Sequence, residues 1–243
     1  MNTDNVAVSG ETLDYGPCAF MDRFAANTVF SSIDAHGRYA YGRQPQIMHW
    51  NMARFAEALL PAIHSVSPGD VEGAKALVDA IPGRFRAHWD RLMRAKLGLA
   101  ARGAHDRALV DDLFAELETH SVDFTSFFRA LAMLLRGDGA RLEQLLPTPD
   151  AMAPWVARWW EHIESDGVSP LVRADAMDAV NPLYIPRNHI IEPALEAAEA
   201  GDMGPWQALL EVAQQPFVAR PGLERFAEPG PIDAAPYRTF CGT

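Results

Sequence analysis

From Ile47 onward, apolar side chains recur every three or four residues, the spacing that lines one face of a helix. Trp50, Ala53, Ala56, Leu59, Leu60 and Ile63 form the first such stripe, which Pro68 and Gly69 interrupt. The pattern then predicts helices over 70–81, 84–101, 105–119, 123–136, 139–146, 150–165, 170–180, 189–200 and 204–214. Pro82-Gly83, Gly137-Asp138-Gly139, Pro147-Thr148-Pro149 and Gly201-Asp202 separate them as turns. Asp70, Asp123, Asp150 and Ser169 stand where N-caps are expected, because their side-chain oxygens can accept the unpaired N–H groups of a first turn. The groups Phe124-Phe127-Phe128 and Trp155-Trp159-Trp160 share this spacing and read as core.

The two ends break the pattern. Asn5-Val6-Ala7-Val8 alternates, Ser9-Gly10 is a turn dipeptide, and Thr12-Leu13-Asp14-Tyr15 gives a second extended run, together predicting a short β-hairpin. Residues 15–46 carry Gly16, Pro17, Gly37, Gly42 and Pro45 among scattered aromatics and read as a long ordered loop. Residues 216–243 hold Pro216, Pro221, Pro229, Pro231 and Pro236 without helical periodicity, so an irregular strap is expected there. The fold class is therefore mainly α: a helical body at 47–215, the hairpin at 1–16 and loop at 15–46 before it, and a Pro-rich tail after it.

The hairpin places candidate chemistry. With Ser9-Gly10 as its turn, Asn5 lies opposite Asp14, with Cβ atoms about 5 Å apart. Mg²⁺ or Mn²⁺ takes oxygen ligands and is commonly held by one or two protein oxygens plus substrate phosphates, so the Asn5 amide and the Asp14 carboxylate suit it. The neighbouring Asp4 suits a general base. Asp, Asn, Ser and Gly equally favour plain turns, and spacing does not choose between the two readings.

Composition narrows the classes. The 243 residues are 49% hydrophobic, enough for a sizeable core, and a net charge of -11 disfavours nucleic acid and anionic membranes. No apolar run approaches the ~20 residues of a membrane span, and the N-terminus is neither a signal nor a transit peptide, so a cytoplasmic location is expected. The eight histidines are scattered, and there is no HExxH, zinc-spaced Cys/His cluster, GxSxG elbow or GxGxxG loop.

Several stretches in register are similar to one family. MNTDN, SGETLDYGPCAFMD, FSSIDAHGRYAYGRQPQIMHWNMARFAEALLP, DFTSFFRAL at 123–131, NPLYIPRN at 181–188 and the terminal PYRTFCGT resemble segments of the selenoprotein O family of kinase-like protein adenylyltransferases, in the same order. The resemblance implies a protein-kinase-like C-terminal lobe and transfer of AMP from ATP to Ser, Thr or Tyr hydroxyls of protein substrates. It implies Asp4 as catalytic base, with Asn5 and Asp14 as Mg²⁺ or Mn²⁺ ligands, Asp14 standing in Asp-Tyr-Gly where kinases carry Asp-Phe-Gly. Residues 15–46 then correspond to an activation segment, in which Asp34 and Arg38 are expected to pair with each other or to brace the loop. Arg187 is expected to tie helix ends together rather than to meet a phosphate.

The family motif continues upstream of Met1, and a kinase-like enzyme needs a β-rich lobe with a Gly-rich loop, a strand Lys and its Glu partner. This sequence lacks that N-lobe, so a C-terminal fragment or a misassigned start, inactive by itself, is the expectation. Ordinary phosphoryl transfer and a noncatalytic helical interaction module are the alternatives. Two cysteines exclude a disulfide scaffold. Since family members carry cysteine or selenocysteine near the C-terminus, the resemblance implies a redox link in which Cys241 pairs with Cys18; two independent thiols fit the sequence equally.

Overall fold

The structure is a computed structural model that describes residues 3–12, 18–66, 70–99, 103, 106–231 and 237–239. Among the described residues it contains α1 (Gln44–Val66), α2 (Val71–Asp79), α3 (Ile81–Lys96), α4 (Asp106–Thr119), α5 (Phe124–Leu135), α6 (Ala140–Leu145), α7 (Ala153–Glu164), α8 (Pro170–Asp178), α9 (Asn188–Glu199) and α10 (Gly204–Gln214). Single 3₁₀ turns form at Thr3–Asn5, Tyr41–Arg43 and Glu224–Phe226. The expected helices are all present and the chain is mainly helical. No described helix is long and apolar enough to cross a membrane.

The described part of the expected hairpin is not a strand pair. Thr3–Asn5 winds into a 3₁₀ turn and Val6–Thr12 forms no strand, although the Ser9-Gly10 turn itself is present, with Gly10 at φ 75°. An isolated two-stranded hairpin is marginal in water, and nothing apolar drives this one, since Val8 is 80% exposed. The opposing arm, from Leu13 through Asp14 to Pro17, lies outside the described residues.

Helix boundaries differ from the expected ones where proline and glycine are used in a second way. Pro45 and Pro82 were expected to break structure, yet each sits in the first turn of its helix, α1 and α3, where a proline gives up an N–H that has no partner anyway. Helix α3 stops at Lys96 rather than continuing to residue 101. Gly98 turns left-handed there (φ 69°), and the Leu99 N–H reaches back to the Arg94 carbonyl at 2.9 Å. Of the four expected N-caps, only Asp123 acts through its side chain, accepting the Ser126 N–H at 2.7 Å. Asp70 and Ser169 occupy cap positions without a side-chain bond, and Met152 rather than Asp150 precedes α7.

The chain forms two compact units. One comprises residues 1–18, 26–90 and 238–243, and in it α1 packs beside α2. On α1 only Asn51 is buried; Trp50 and Leu59, expected in the core stripe, are exposed together with Phe55. Apolar residues lie on more than one side of this helix, so periodicity alone does not select the covered side. Ser31 and Thr239 form an isolated parallel bridge in the same unit.

The second unit comprises residues 19–25 and 91–237. Its centre is α5, whose Phe127, Phe128, Ala130 and Leu131 are fully buried, packed between α6 and α8. Each such phenylalanine contributes roughly 2 kcal/mol of burial. Rings continue from Phe24 through Phe114, Phe124, Phe128 and Phe127 to Trp155 and Trp159 at centroid spacings of 4.7 to 6.4 Å. Both buried indoles are satisfied, Trp155 donating to the Leu109 carbonyl and Trp159 to that of Leu97, each at 2.9 Å. Tyr184, Leu209, Val212 and Phe226 make a smaller core that holds the start of the tail.

Candidate functional site

Residues Thr3–Asn5 wind one 3₁₀ turn beside α1, and this turn places Asp4 and Asn5 at the surface. Successive side chains on a 3₁₀ helix point about a third of a turn apart, so the two groups fan outward rather than converge. That divergence suits different tasks for each: one oxygen for a cation, another for a proton.

Several other acidic residues serve the turns and helix ends. Asp34 accepts the N–H groups of Arg38 and Tyr39, both at 2.8 Å; Asp123 accepts Ser126; Asp138 accepts Ala140; Asp202 accepts Gly204. These are turn and cap duties. Asp4 and Asn5 have no hydrogen bond or ion pair to any described residue, so their oxygens are not spent on turn chemistry there. Exposed carboxylate and amide oxygens fit a hard divalent cation and its water shell. Asp14, the other expected ligand, lies outside the described residues. Among those described, no group of three or more His, Cys, Asp or Glu side chains could hold a metal ion.

The loop that follows is braced as expected, though through a different contact. Asp34 holds backbone amides rather than the Arg38 side chain, and the Arg38 guanidinium lies over the Trp50 ring at 4.9 Å. Gly37 turns with φ 62° inside that brace. Cys18 is an exposed thiol, and Cys241 lies outside the described residues.

The other two motif segments, 123–131 and 181–188, resolve into internal ties. Arg187 is fully buried; it bonds both carboxylate oxygens of Asp123 at 2.6 and 3.1 Å, the Ser126 hydroxyl at 3.3 Å, and the Asp22 carboxylate. Burial alone would lower its pKa, but the hydrogen bonds and charges of Asp123 and Asp22 outweigh that and raise it. Asn188 clasps the Phe20 backbone with both ends of its amide, at 3.0 and 2.7 Å. Asn181 donates to the Lys96 carbonyl at 2.9 Å. Sequence reasoning did not single out Asp22; no local pattern could have done so, since its partner is 165 residues away.

The family model described as protein adenylyltransferase SelO matches residues 1–214. Over the whole chain, the sequence is 77% identical to the protein nucleotidyltransferase YdiU of Sphingopyxis alaskensis, covering 50% of that protein. It is 51% identical to the protein of the same name in Chromobacterium violaceum, covering 52%, and 48% identical to that of Mycobacterium sp. (strain KMS), covering 49%. The chain spans about half the length of the curated relatives it matches.

Proposed function

Because the chain belongs to the SelO family of protein adenylyltransferases, we propose that it is the kinase-like catalytic lobe of an enzyme that moves AMP from ATP onto Ser, Thr or Tyr hydroxyls of proteins. The observation that carries this reading is the coincidence of the family match over residues 1–214 with an Asp4-Asn5 pair whose side chains have no partner among the described residues.

In this reading Asp4 accepts the proton of the attacking hydroxyl, a task for a carboxylate with a free lone pair within hydrogen-bond reach. Asn5 and Asp14 hold Mg²⁺ or Mn²⁺. The ion supplies charge neutralisation on the nucleotide phosphates, the usual main contribution in phosphoryl and nucleotidyl transfer. The residues that grip the rest of the triphosphate belong, in this proposal, to the half of the relatives' length that the chain does not span.

The test is to join the chain to the remaining half of the Sphingopyxis alaskensis relative, incubate with ATP and divalent cation, and weigh the proteins present. A mass gain of one AMP, lost on Asp4→Ala, is the expected result. A gain of one phosphate would assign phosphoryl transfer instead. Nucleotide transfer that persists unchanged in Asp4→Ala and Asn5→Ala would overturn the assignment of both residues.

A further inference from the structure

The chain has nineteen arginines but only two lysines, Lys75 and Lys96. Lys75 is an exposed residue of α2. Lys96 ends α3 and is partly buried, with Nζ 4.5 Å from the centre of the Phe128 ring and 5.8 Å from that of Phe124. No carboxylate among the described residues lies within ion-pairing distance of it. The charged side chains on the adjoining elements are committed elsewhere: Arg94 faces Asp106 at 4.0 Å, Arg129 pairs with Asp178 at 3.1 Å, and Arg173 pairs with Asp166.

The backbone carrying this amine is held. Asn181 donates to the Lys96 carbonyl and the Trp159 indole to that of Leu97, both at 2.9 Å. The amine is thus presented on a fixed main chain, against ring faces, with no anion among the described residues to stabilise its proton. Ring quadrupoles attract an ammonium group, but loss of water disfavours the charge more. Burial lowers the Lys96 pKa to about 8.

We propose that Lys96 is the chain's preferred site of N-acylation, its ε-amine taking an acyl group from small activated donors such as acyl phosphates and thioesters. The amine lone pair attacks the donor's carbonyl carbon; the new N–C bond forms as the bond to the phosphate oxygen or thioester sulfur breaks. The leaving group departs with that electron pair and the surplus amine proton passes to water. The product is a neutral amide over Phe124 and Phe128, so the modification removes the one lysine charge of this unit.

The two lysines provide an internal control. Folded chain is incubated with acetyl phosphate at about pH 7.5, and acetylation at each lysine is followed by peptide mass spectrometry, in buffer and in concentrated urea. A lowered pKa raises the fraction of free amine by more than a hundredfold, and partial burial takes back part of that gain. Lys96 is therefore expected to react on the order of tenfold faster than Lys75 when folded, and at about the same rate in urea. Its rate should also level off above about pH 8 while that of Lys75 keeps climbing. A folded-state ratio of one or below, or a Lys96 rate that climbs in parallel with Lys75, would overturn the proposal.

Discussion

Arg187 binds Asp123 through two parallel hydrogen bonds of 2.6 and 3.1 Å, and the same carboxylate caps α5 by accepting the Ser126 N–H at 2.7 Å. One side chain thus closes the N-terminus of α5 and fixes the residue that precedes α9. Asp22 completes the cluster from the N-terminal side of the chain. A buried charge left without its partner is costly, so this cluster joins three distant stretches by a penalty on separation as much as by attraction.

Arg187→Met should therefore destabilise the fold by about 3–5 kcal/mol, because the buried Asp123 carboxylate would be left without its cationic partner. Arg187→Lys should recover only part of that loss, since an ammonium cannot bond both carboxylate oxygens in the fork geometry. Urea unfolding midpoints of the parent and the two variants decide the point; an Arg187→Lys midpoint equal to the parent's would mean that charge alone matters, and one equal to that of Arg187→Met that charge without the fork geometry contributes nothing.

Gly98→Ala should cost about 1–3 kcal/mol. The position has φ 69°, and an added Cβ would sit 2.8 Å from both Arg173 Cγ and Met177 Sδ, in a buried site where Arg173 also bonds the Gly98 and Ile163 carbonyls. Thermal unfolding of the variant measures this, and an unchanged melting temperature would contradict it.

Lys96 predicts a definite sign of pH dependence. Its folded-state pKa, about 8, lies below the ordinary lysine value of 10.5, so between those values the unfolded chain binds more protons than the folded one. Stability contributed by this group therefore rises with pH across that window and is flat below about pH 8. Lys96→Met should abolish the rise. Urea midpoints of parent and variant between pH 7 and about 10.5 provide the comparison, and parallel curves would refute it.

Asp34→Ala should loosen the loop while leaving the helices intact. It removes the acceptor of two backbone N–H groups, those of Arg38 and Tyr39, a loss of roughly 1–2 kcal/mol locally. Hydrogen exchange should speed up at those two amides and stay unchanged in α5.

In the joined enzyme, Asp4→Ala should reduce AMP transfer by at least ~10²-fold, the usual contribution of a general base. Folding stability should move by no more than about 0.5 kcal/mol, as expected for an exposed side chain with no described partner. A large stability change would instead mark Asp4 as structural.

The helices were legible because each carries its own apolar spacing and its own punctuation, and Phe127, Phe128, Trp155 and Trp159 declared their burial in the same way, whereas Phe124 and Trp160 of the same groups are only partly buried. The expected roles of Asp34 and Arg187 as braces also hold, although the partners differ or could not be foreseen. The hairpin was not legible. Alternation over Asn5-Val6-Ala7-Val8 describes a strand only when a neighbouring strand or apolar surface takes up one face, and Val8 faces water. Pro45 and Pro82 misled for a related reason, since the same residue that ends one helix also opens another.

The sequence by itself determined the mainly helical architecture, the number and order of its helices and membership in the family, because local periodicity and residue order survive without coordinates. Only the tertiary structure decided that Asp123, Arg187 and Asp22 form one cluster around a buried guanidinium, that Asn188 clasps Phe20, and that Lys96 lies against two rings with no carboxylate among the described residues within ion-pairing distance. Those relationships join residues tens to more than a hundred positions apart, and burial, which sets their energies, is a property of the packed chain rather than of any segment of it.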